Sequence, residues 1–330
     1  MSGSMPSTGP EGRPNPHKRL VHVAAGALLD GRGRVLIARR AADVHQGGLW
    51  EFPGGKLEPG EPARRALARE LREELGVEVR RTRPLIRVRH DYGDRQVLLD
   101  VFLVSEFAGE PRGLEGQPLD WVAPAALDPG RFPAADKPII DALRLPARYL
   151  ITGADPGDAP GFLRRLEASL AGGLELVQLR AHGIGDAAYC DLARQAFALC
   201  RQAGARLLLN RRPQAVADVP AHGLHLQADT LWRLDARPAG AALVGASCHS
   251  AADLQRAAAI GLDYALLGPV MPTATHPQAV PLGWQRFAAL VDAATLPVYA
   301  LGGLSEADLE HSFVHGAQGV AAISGFWRTV

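Results

Sequence analysis

Cysteine is scarce: the 330 residues hold three, at positions 190, 200 and 248. An odd number excludes a closed disulfide framework, and the spacing matches no metal-ligand pattern. The chain is therefore expected to work in a reducing, cytoplasmic compartment. Long apolar runs are missing as well. No stretch approaches the roughly 20 apolar residues that a membrane span requires, so no membrane partner is expected. Excess charge is also absent. With 36 Lys and Arg against 35 Asp and Glu, nothing builds a surface for duplex nucleic acid or anionic lipid. Residues 1–18 are rich in Ser, Gly and Pro and lack an apolar core segment, which predicts a disordered leader and not a secretory signal. No sequence feature specifies an oligomeric state. The length exceeds one small domain and predicts two.

The densest stretch runs from Gly55 to Val77, GKLEPGEPARRALARELREELGV. Pro62 suits the first turn of a helix, where its missing N–H costs nothing. Ala66, Leu67, Leu71 and Leu75 recur at helical spacing and supply a face to bury. Glu70, Glu73 and Glu74 stand at i, i+3 and i+4 and form one acidic stripe. Gly76 is placed to end the helix. Carboxylates this close repel one another unless a cation sits between them. Mg²⁺, a hard ion with oxygen ligands, is the expected guest, with Mn²⁺ the alternative. The stripe alone also fits a solvated helix in which Arg69 and Glu73 pair at i,i+4. With its flanks, however, the stretch satisfies G-x5-E-x7-R-E-U-x-E-E-x-G-U (U aliphatic) at Gly55, Glu61, Arg69, Glu70, Leu71, Glu73, Glu74, Gly76 and Val77. It thus resembles the Nudix box of hydrolases that cleave nucleoside diphosphates linked to another moiety.

Residues 19–145 are expected to form the domain around this box. Val21 to Arg39 reads as two strands about the turn at Asp30-Gly31, Leu85 to His90 and Gln96 to Glu106 as a second pair, and Pro138 to Leu143 as a short helix. A mixed sheet between helices, an α/β/α sandwich, is the predicted architecture. The runs RRAADVH, EFPGGKLEPGE, EPRGLEGQP and FPAADKPII resemble the MutT-type 8-oxo-dGTP diphosphatases of bacteria. In that family water attacks phosphorus, a nucleoside triphosphate yields the monophosphate and pyrophosphate, and divalent ions neutralise the developing charge. The resemblance implies metal ligation by the Gly54 carbonyl, Glu73, Glu74 and Glu115. It implies that Glu70 orients or deprotonates the water and also touches metal, and that Arg69 holds a carboxylate of the stripe. Arg40 would reach the phosphates, and Glu51, Phe52, Asp94 and Arg95 would surround the nucleoside.

One position departs from that family: Asp136 stands where the bacterial enzymes carry an Asn. The Hoogsteen side of 8-oxo-guanine offers an N7–H donor beside an O6 acceptor, which an amide complements. An ionised Asp accepts only, whereas a protonated Asp both donates and accepts, and burial favours protonation. Asp136 also suits the N-cap of the helix beginning at Lys137-Pro138. The two readings are compatible.

Residues 147–330 alternate strand-like and helical runs. Eight strands, from Tyr149-Thr152 to Gly319-Ser324, with crossover helices in about 180 residues predict a compact (β/α)8 TIM barrel. Function in such a barrel sits at the C-terminal strand ends. VQLRAH, LLLNRRPQAV, GLHL, GASCHS, DYALLGPVMPTATHP, YALGGL and GVAAISG resemble the thiamine-phosphate synthase and TenI-like family. The resemblance implies that Gly302, Gly303 and Ser324 border a phosphate site. It implies that Gln178, Arg180, Asn210, Thr273 and Thr275 face the pyrophosphate or thiazole, with Ser247 and His249 at the same rim. A synthase carries Asp where Arg211 and Thr230 stand here, so its Mg²⁺ lacks hard anionic ligands. Three readings remain: a TenI-like isomerase with His249 as acid/base, a non-catalytic module for a phosphorylated thiazole or pyrimidine, and a residual synthase. For the whole chain, hydrolysis of an oxidised purine nucleoside triphosphate is the leading expectation, and hydrolysis of a thiamine-pathway pyrophosphate is the alternative.

Overall fold

The computed structural model describes residues 20–42, 46–153, 156–273 and 277–328. The expected leader and Thr275 lie outside the described residues. The N-terminal half comprises β1 (Leu20–Leu28), β2 (Val35–Arg39), β3 (Trp50–Glu51), β4 (Gly54–Lys56), α1 (Ala63–Leu75), β5 (Glu78–Asp91), β6 (Gln96–Ala108), β7 (Leu119–Val122) and α2 (Lys137–Arg144). One sheet has the order β4-β1-β6-β5, with β1 and β6 parallel and the outer pairs antiparallel. A second, three-stranded sheet has the order β3-β2-β7. The expected β1–β2 hairpin is reduced to a single bridge, Leu29 to Val35. Each strand instead pairs with a partner distant in sequence. β5 begins earlier than the pattern suggests, because register shifts near Arg81 and Pro84 break its alternation.

The alternation of β1 explains the layers. Ala24 and Leu28 pack with Leu67, Leu71 and Leu75 of α1, while Ala25 and Ala27 pack with Ile139 and Ile140 of α2 on the other face. A mixed sheet lies between helices, as expected. Pro62 precedes α1 with extended backbone, and Gly76 ends it at φ 69° in the left-handed region.

The C-terminal half is a closed barrel of eight parallel strands: β8 (Arg148–Ile151), β9 (Leu176–Leu179), β10 (Arg206–Leu209), β11 (Gly223–Leu226), β12 (Leu243–Cys248), β13 (Tyr264–Leu267), β14 (Val298–Leu301) and β15 (Gly319–Ala322). Among the described residues six helices follow its strands: α3 (Ala159–Leu170), α4 (Asp186–Gln202), α5 (Ala228–Arg233), α6 (Ala251–Ala259), α7 (Gly283–Asp292) and α8 (Leu309–Val314). Between β10 and β11 a 3₁₀ turn, Pro213–Val216, replaces the helix. Inside the barrel, Tyr149, Tyr264 and Tyr299 pack with ring centroids 5.4 to 5.8 Å apart. Tyr264 lies flat over Gly245, where an added Cβ would come within 2.1 Å of the ring.

The two halves meet at the end of the barrel opposite its mouth. Gln318 donates to the carbonyls of Ala142 and Leu145, Arg206 donates to that of Arg144, and Tyr299 to that of Pro146. Arg87 on β5 bridges Asp100 and Asp292, and Arg83 lies 4.0 Å over the Phe313 ring.

Gly245→Ala is expected to lower unfolding stability by about 1–3 kcal/mol through overpacking against Tyr264. Gly31→Ala, where a Cβ meets nothing within 4 Å, should change it by less than about 0.5 kcal/mol. Urea unfolding of both variants checks the contrast.

Candidate active sites

Arg69 organises the acidic helix. Its Nε and Nη2 form a bidentate pair with Glu61 at 3.1 and 2.8 Å. Its Nη1 donates to Glu70 at 2.8 Å and more weakly to Glu73 at 3.3 Å, and Nη2 also donates to the Lys56 carbonyl. These carboxylates raise the Arg69 pKa further above its ordinary value, with Glu61 the largest cause. The charge of Arg69 therefore clamps the loop before α1 onto the helix. Glu70 packs so closely on Gly55 that a Cβ there would meet its carboxyl at 2.2 to 2.4 Å.

Glu74 lies one turn on. Its Oε2 accepts from the Gly54 N–H at 3.2 Å. The loop after β6 is fastened to the end of α1: Arg112 N–H donates to the Leu75 carbonyl, while Leu114 N–H and Gln117 Nε2 donate to that of Glu74. Carbonyls at the end of a helix lack partners within it, and this loop supplies them. The same fastening puts Glu115 beside Glu74 on a cleft of about 350 Å³ that Arg40 and Glu51 also line. Burial, followed by the charges of Glu70, Glu115 and Glu51, pushes the Glu74 carboxyl up to about 8. Among the described residues no three His, Cys, Asp or Glu side chains converge as a formed metal cage. Arg69 and the Gly54 N–H hold the carboxylates apart. The donor set is nonetheless all hard oxygen, and the crowding that protonates Glu74 is what a divalent cation relieves, so Mg²⁺ fits these residues.

A second cleft, of about 410 Å³, adjoins the first through Arg40 and Glu51. Arg40 Nη1 donates to Glu51, whose carboxyl burial still raises. Phe52 forms a wall, stacked on Phe132 at 5.6 Å. Arg95 and Asp136 line the cleft too. Asp94 does not: it sits exposed on the β5–β6 turn, where Arg95 Nε and Nη2 donate to its Oδ2. Gln46, Lys56 and Tyr92 also line it and were not among the expected residues. Lys56 lies within the run EFPGGKLEPGE but at none of its fixed positions, and the fold brings the three together.

Asp136 is buried, with about 7% of its surface exposed. Its backbone is already helical at φ −87°, ψ −14°, and its side chain makes no cap hydrogen bond. The capping role is therefore not realised. Burial, and then the charge of Glu51, pushes its carboxyl up to about 8 against a lowering by Arg40. At neutral pH it is a carboxylic acid that can donate as well as accept.

The barrel mouth holds a cavity of about 310 Å³. Gln178, Arg180, Asn210, Ser247, His249, Thr273, Gly302, Gly303 and Ser324 all line it. Beneath it runs a hydrogen-bonded chain. Gln178 Nε2 donates to the Tyr149 hydroxyl, which lies 2.9 Å from that of Tyr264. The Tyr264 hydroxyl is 3.0 Å from His225 Nδ1, and His225 Nε2 is 2.9 Å from Ser247 Oγ. The Gln178 amide donates into this chain, and Ser247 Oγ ends it on the cavity wall. Burial pushes His225 down to about 3, so it stays neutral. His249 Nδ1 faces the Gly268 carbonyl at 2.8 Å, which fixes the proton on Nδ1 and leaves Nε2 as the basic nitrogen.

The Nudix domain model matches residues 24–142 and the thiamine monophosphate synthase model residues 148–326. The 8-oxo-dGTP diphosphatase of Escherichia coli (strain K12) is 37% identical over 124 residues, covering 38% of this chain and 96% of that protein. That of Proteus vulgaris is 47% identical over 93 residues, covering 28% and 83%. The thiamine-phosphate synthase of Thermus thermophilus is 35% identical over 178 residues, covering 53% and 86%.

Gly55→Ala should displace Glu70 and lower the hydrolase kcat by about 10²-fold, the scale of loss that an ångström's misplacement within an active site brings. Steady-state kinetics with a circular-dichroism check of the fold tests this. Asp136 binds its proton more tightly folded than unfolded, so the stability it permits is complete below pH 3.8 and is lost as pH rises through about 8. Asp136→Asn, which does not ionise, is therefore expected to gain stability over the wild type progressively across that window. Urea unfolding at several pH values shows the trend.

Proposed function

This chain belongs to the Nudix hydrolases through residues 24–142 and to the thiamine monophosphate synthase family through residues 148–326, and on that premise we propose that its first half converts 8-oxo-dGTP, or a related oxidised purine nucleoside triphosphate, to the monophosphate and pyrophosphate. The observation that carries this reading is the pair of adjoining clefts. One gathers carboxylates suited to phosphate-bound metal. The other is an aromatic-walled slot ending on a protonated acid.

Gly54, Glu70, Glu73, Glu74 and Glu115 would hold Mg²⁺, which neutralises phosphate charge. Glu70, fixed by Arg69 and by the absent side chain of Gly55, accepts the proton of the attacking water. Arg40 stands where the two clefts meet and contacts the phosphates, with Glu51 keeping it in place. The base lies against Phe52, and protonated Asp136 donates to O6 while accepting from N7–H. Arg95 borders the same slot.

The barrel is read as a site for a phosphorylated thiazole or pyrimidine. The fixed tautomer of His249 favours acid–base work there, in the manner of an isomerase. Synthase chemistry is disfavoured by Arg211 and Thr230.

Glu70→Gln should lower 8-oxo-dGTP hydrolysis by about 10²–10⁴-fold, the range for loss of a general base. The ratio of kcat/KM for 8-oxo-dGTP over dGTP should fall as pH rises through about 8, where Asp136 ionises. Asp136→Asn should keep the preference and lose its pH dependence. A variant that loses the preference would contradict the role given to Asp136.

A further inference from the structure

Among its described lining residues the barrel cavity has Arg180, His182 and His249 but no aspartate or glutamate. Three described carboxylates of the surrounding loops, Asp186, Asp229 and Asp253, are engaged elsewhere. Asp186 lies 3.8 Å from Arg211 Nε and 3.7 Å from Arg212. Asp229 accepts from the Thr230 N–H and faces Arg233 at 3.3 Å. Asp253 accepts from Trp232, from Ser250 and from the His249 N–H. A divalent cation needs hard anionic oxygens, and the described lining residues of this mouth offer no carboxylate.

It does offer a cation of its own. Arg180 Nη1 is buried and has no hydrogen-bond partner among the described residues. A buried charged donor left unpaired is costly, and an incoming anion removes that cost. The Arg180 backbone is pinned on both sides by Thr152, which accepts from its N–H at 2.8 Å and donates to its carbonyl at 3.2 Å. Arg211 does not line the cavity. Its Nη2 donates to the Ala181 carbonyl at 2.8 Å and to the Ile184 carbonyl at 2.9 Å, and its guanidinium lies 4.4 Å over the Tyr189 ring. It thus ties down both ends of the loop that directly follows Arg180.

We propose that the barrel mouth receives the phosphate of a small phosphorylated molecule without a divalent metal, on Arg180, with Arg211 as the positioning residue that braces the 181–184 loop. This rests on reading the mouth as a ligand site and goes further by replacing the metal with a braced arginine.

Calorimetric titration of the full-length protein with phenyl phosphate tests it, once in EDTA and once in Mg²⁺. Equal affinity in both buffers is expected. Arg180→Ala should weaken binding about 10-fold or more, the scale of a lost charge-assisted contact, with Arg180→Lys in between. Arg211→Met, which keeps an apolar stem on Tyr189, should weaken binding several-fold and speed amide exchange within residues 181–184 alone. Binding that requires Mg²⁺ would overturn the metal-free assignment and leave the mouth a ligand site. No binding in either buffer would overturn the ligand-site reading itself. Unchanged affinity in both Arg180 variants would place the phosphate elsewhere and refute the proposal, and unchanged affinity in Arg211→Met would refute the brace.

Discussion

Arg69 holds Glu61 through two hydrogen bonds and Glu70 through a third, and the hydrolase half is arranged to keep that clamp in place. A helix carrying three carboxylates on one stripe repels itself. The arginine offsets part of that charge. Gly55 leaves room for Glu70 to lie against β4, and the loop ending in Gln117 caps the helix and brings Glu115 to Glu74. Burial, and after it the charge of Glu70, Glu115 and Glu51, raises the pKa of Glu74. Fold and chemistry meet there, because burying acidic side chains costs stability unless a cation completes the site.

The barrel solves the opposite problem. Its interior carries neutral polar groups, two tyrosines, a glutamine, a histidine and a serine, linked in one hydrogen-bonded chain. Buried polar groups are tolerated when every one is satisfied. The chain ends at Ser247, on the cavity wall. At the rim of the cavity stands the charge of Arg180. The joint between the halves lies at the other end of the strands, where Arg206, Tyr299 and Gln318 hold the linker carbonyls.

Helical periodicity marked the buried face of α1, and strand-like runs set between helical ones marked the barrel strands, because both are local signals. Pairing was less legible. The turn at Asp30-Gly31 announces a reversal but cannot name a partner, and β1 pairs with β6 across more than 70 residues. Lys56, on β4, and Tyr92, just after β5, reach one cleft because β1 and β6 pair with those strands. Asp136 showed a capping residue type, yet its helical φ and ψ leave the side chain free to face the cleft. Arg211 was legible as a missing carboxylate; its grip on two loop carbonyls was not, since that depends on where the 181–184 loop lies.

The most direct test is pyrophosphate release by the full-length protein with Mg²⁺, comparing 8-oxo-dGTP, dGTP and thiamine pyrophosphate as substrates in parallel assays. The account predicts that 8-oxo-dGTP has the highest kcat/KM. A preference for thiamine pyrophosphate would contradict it and join the two halves in one pathway.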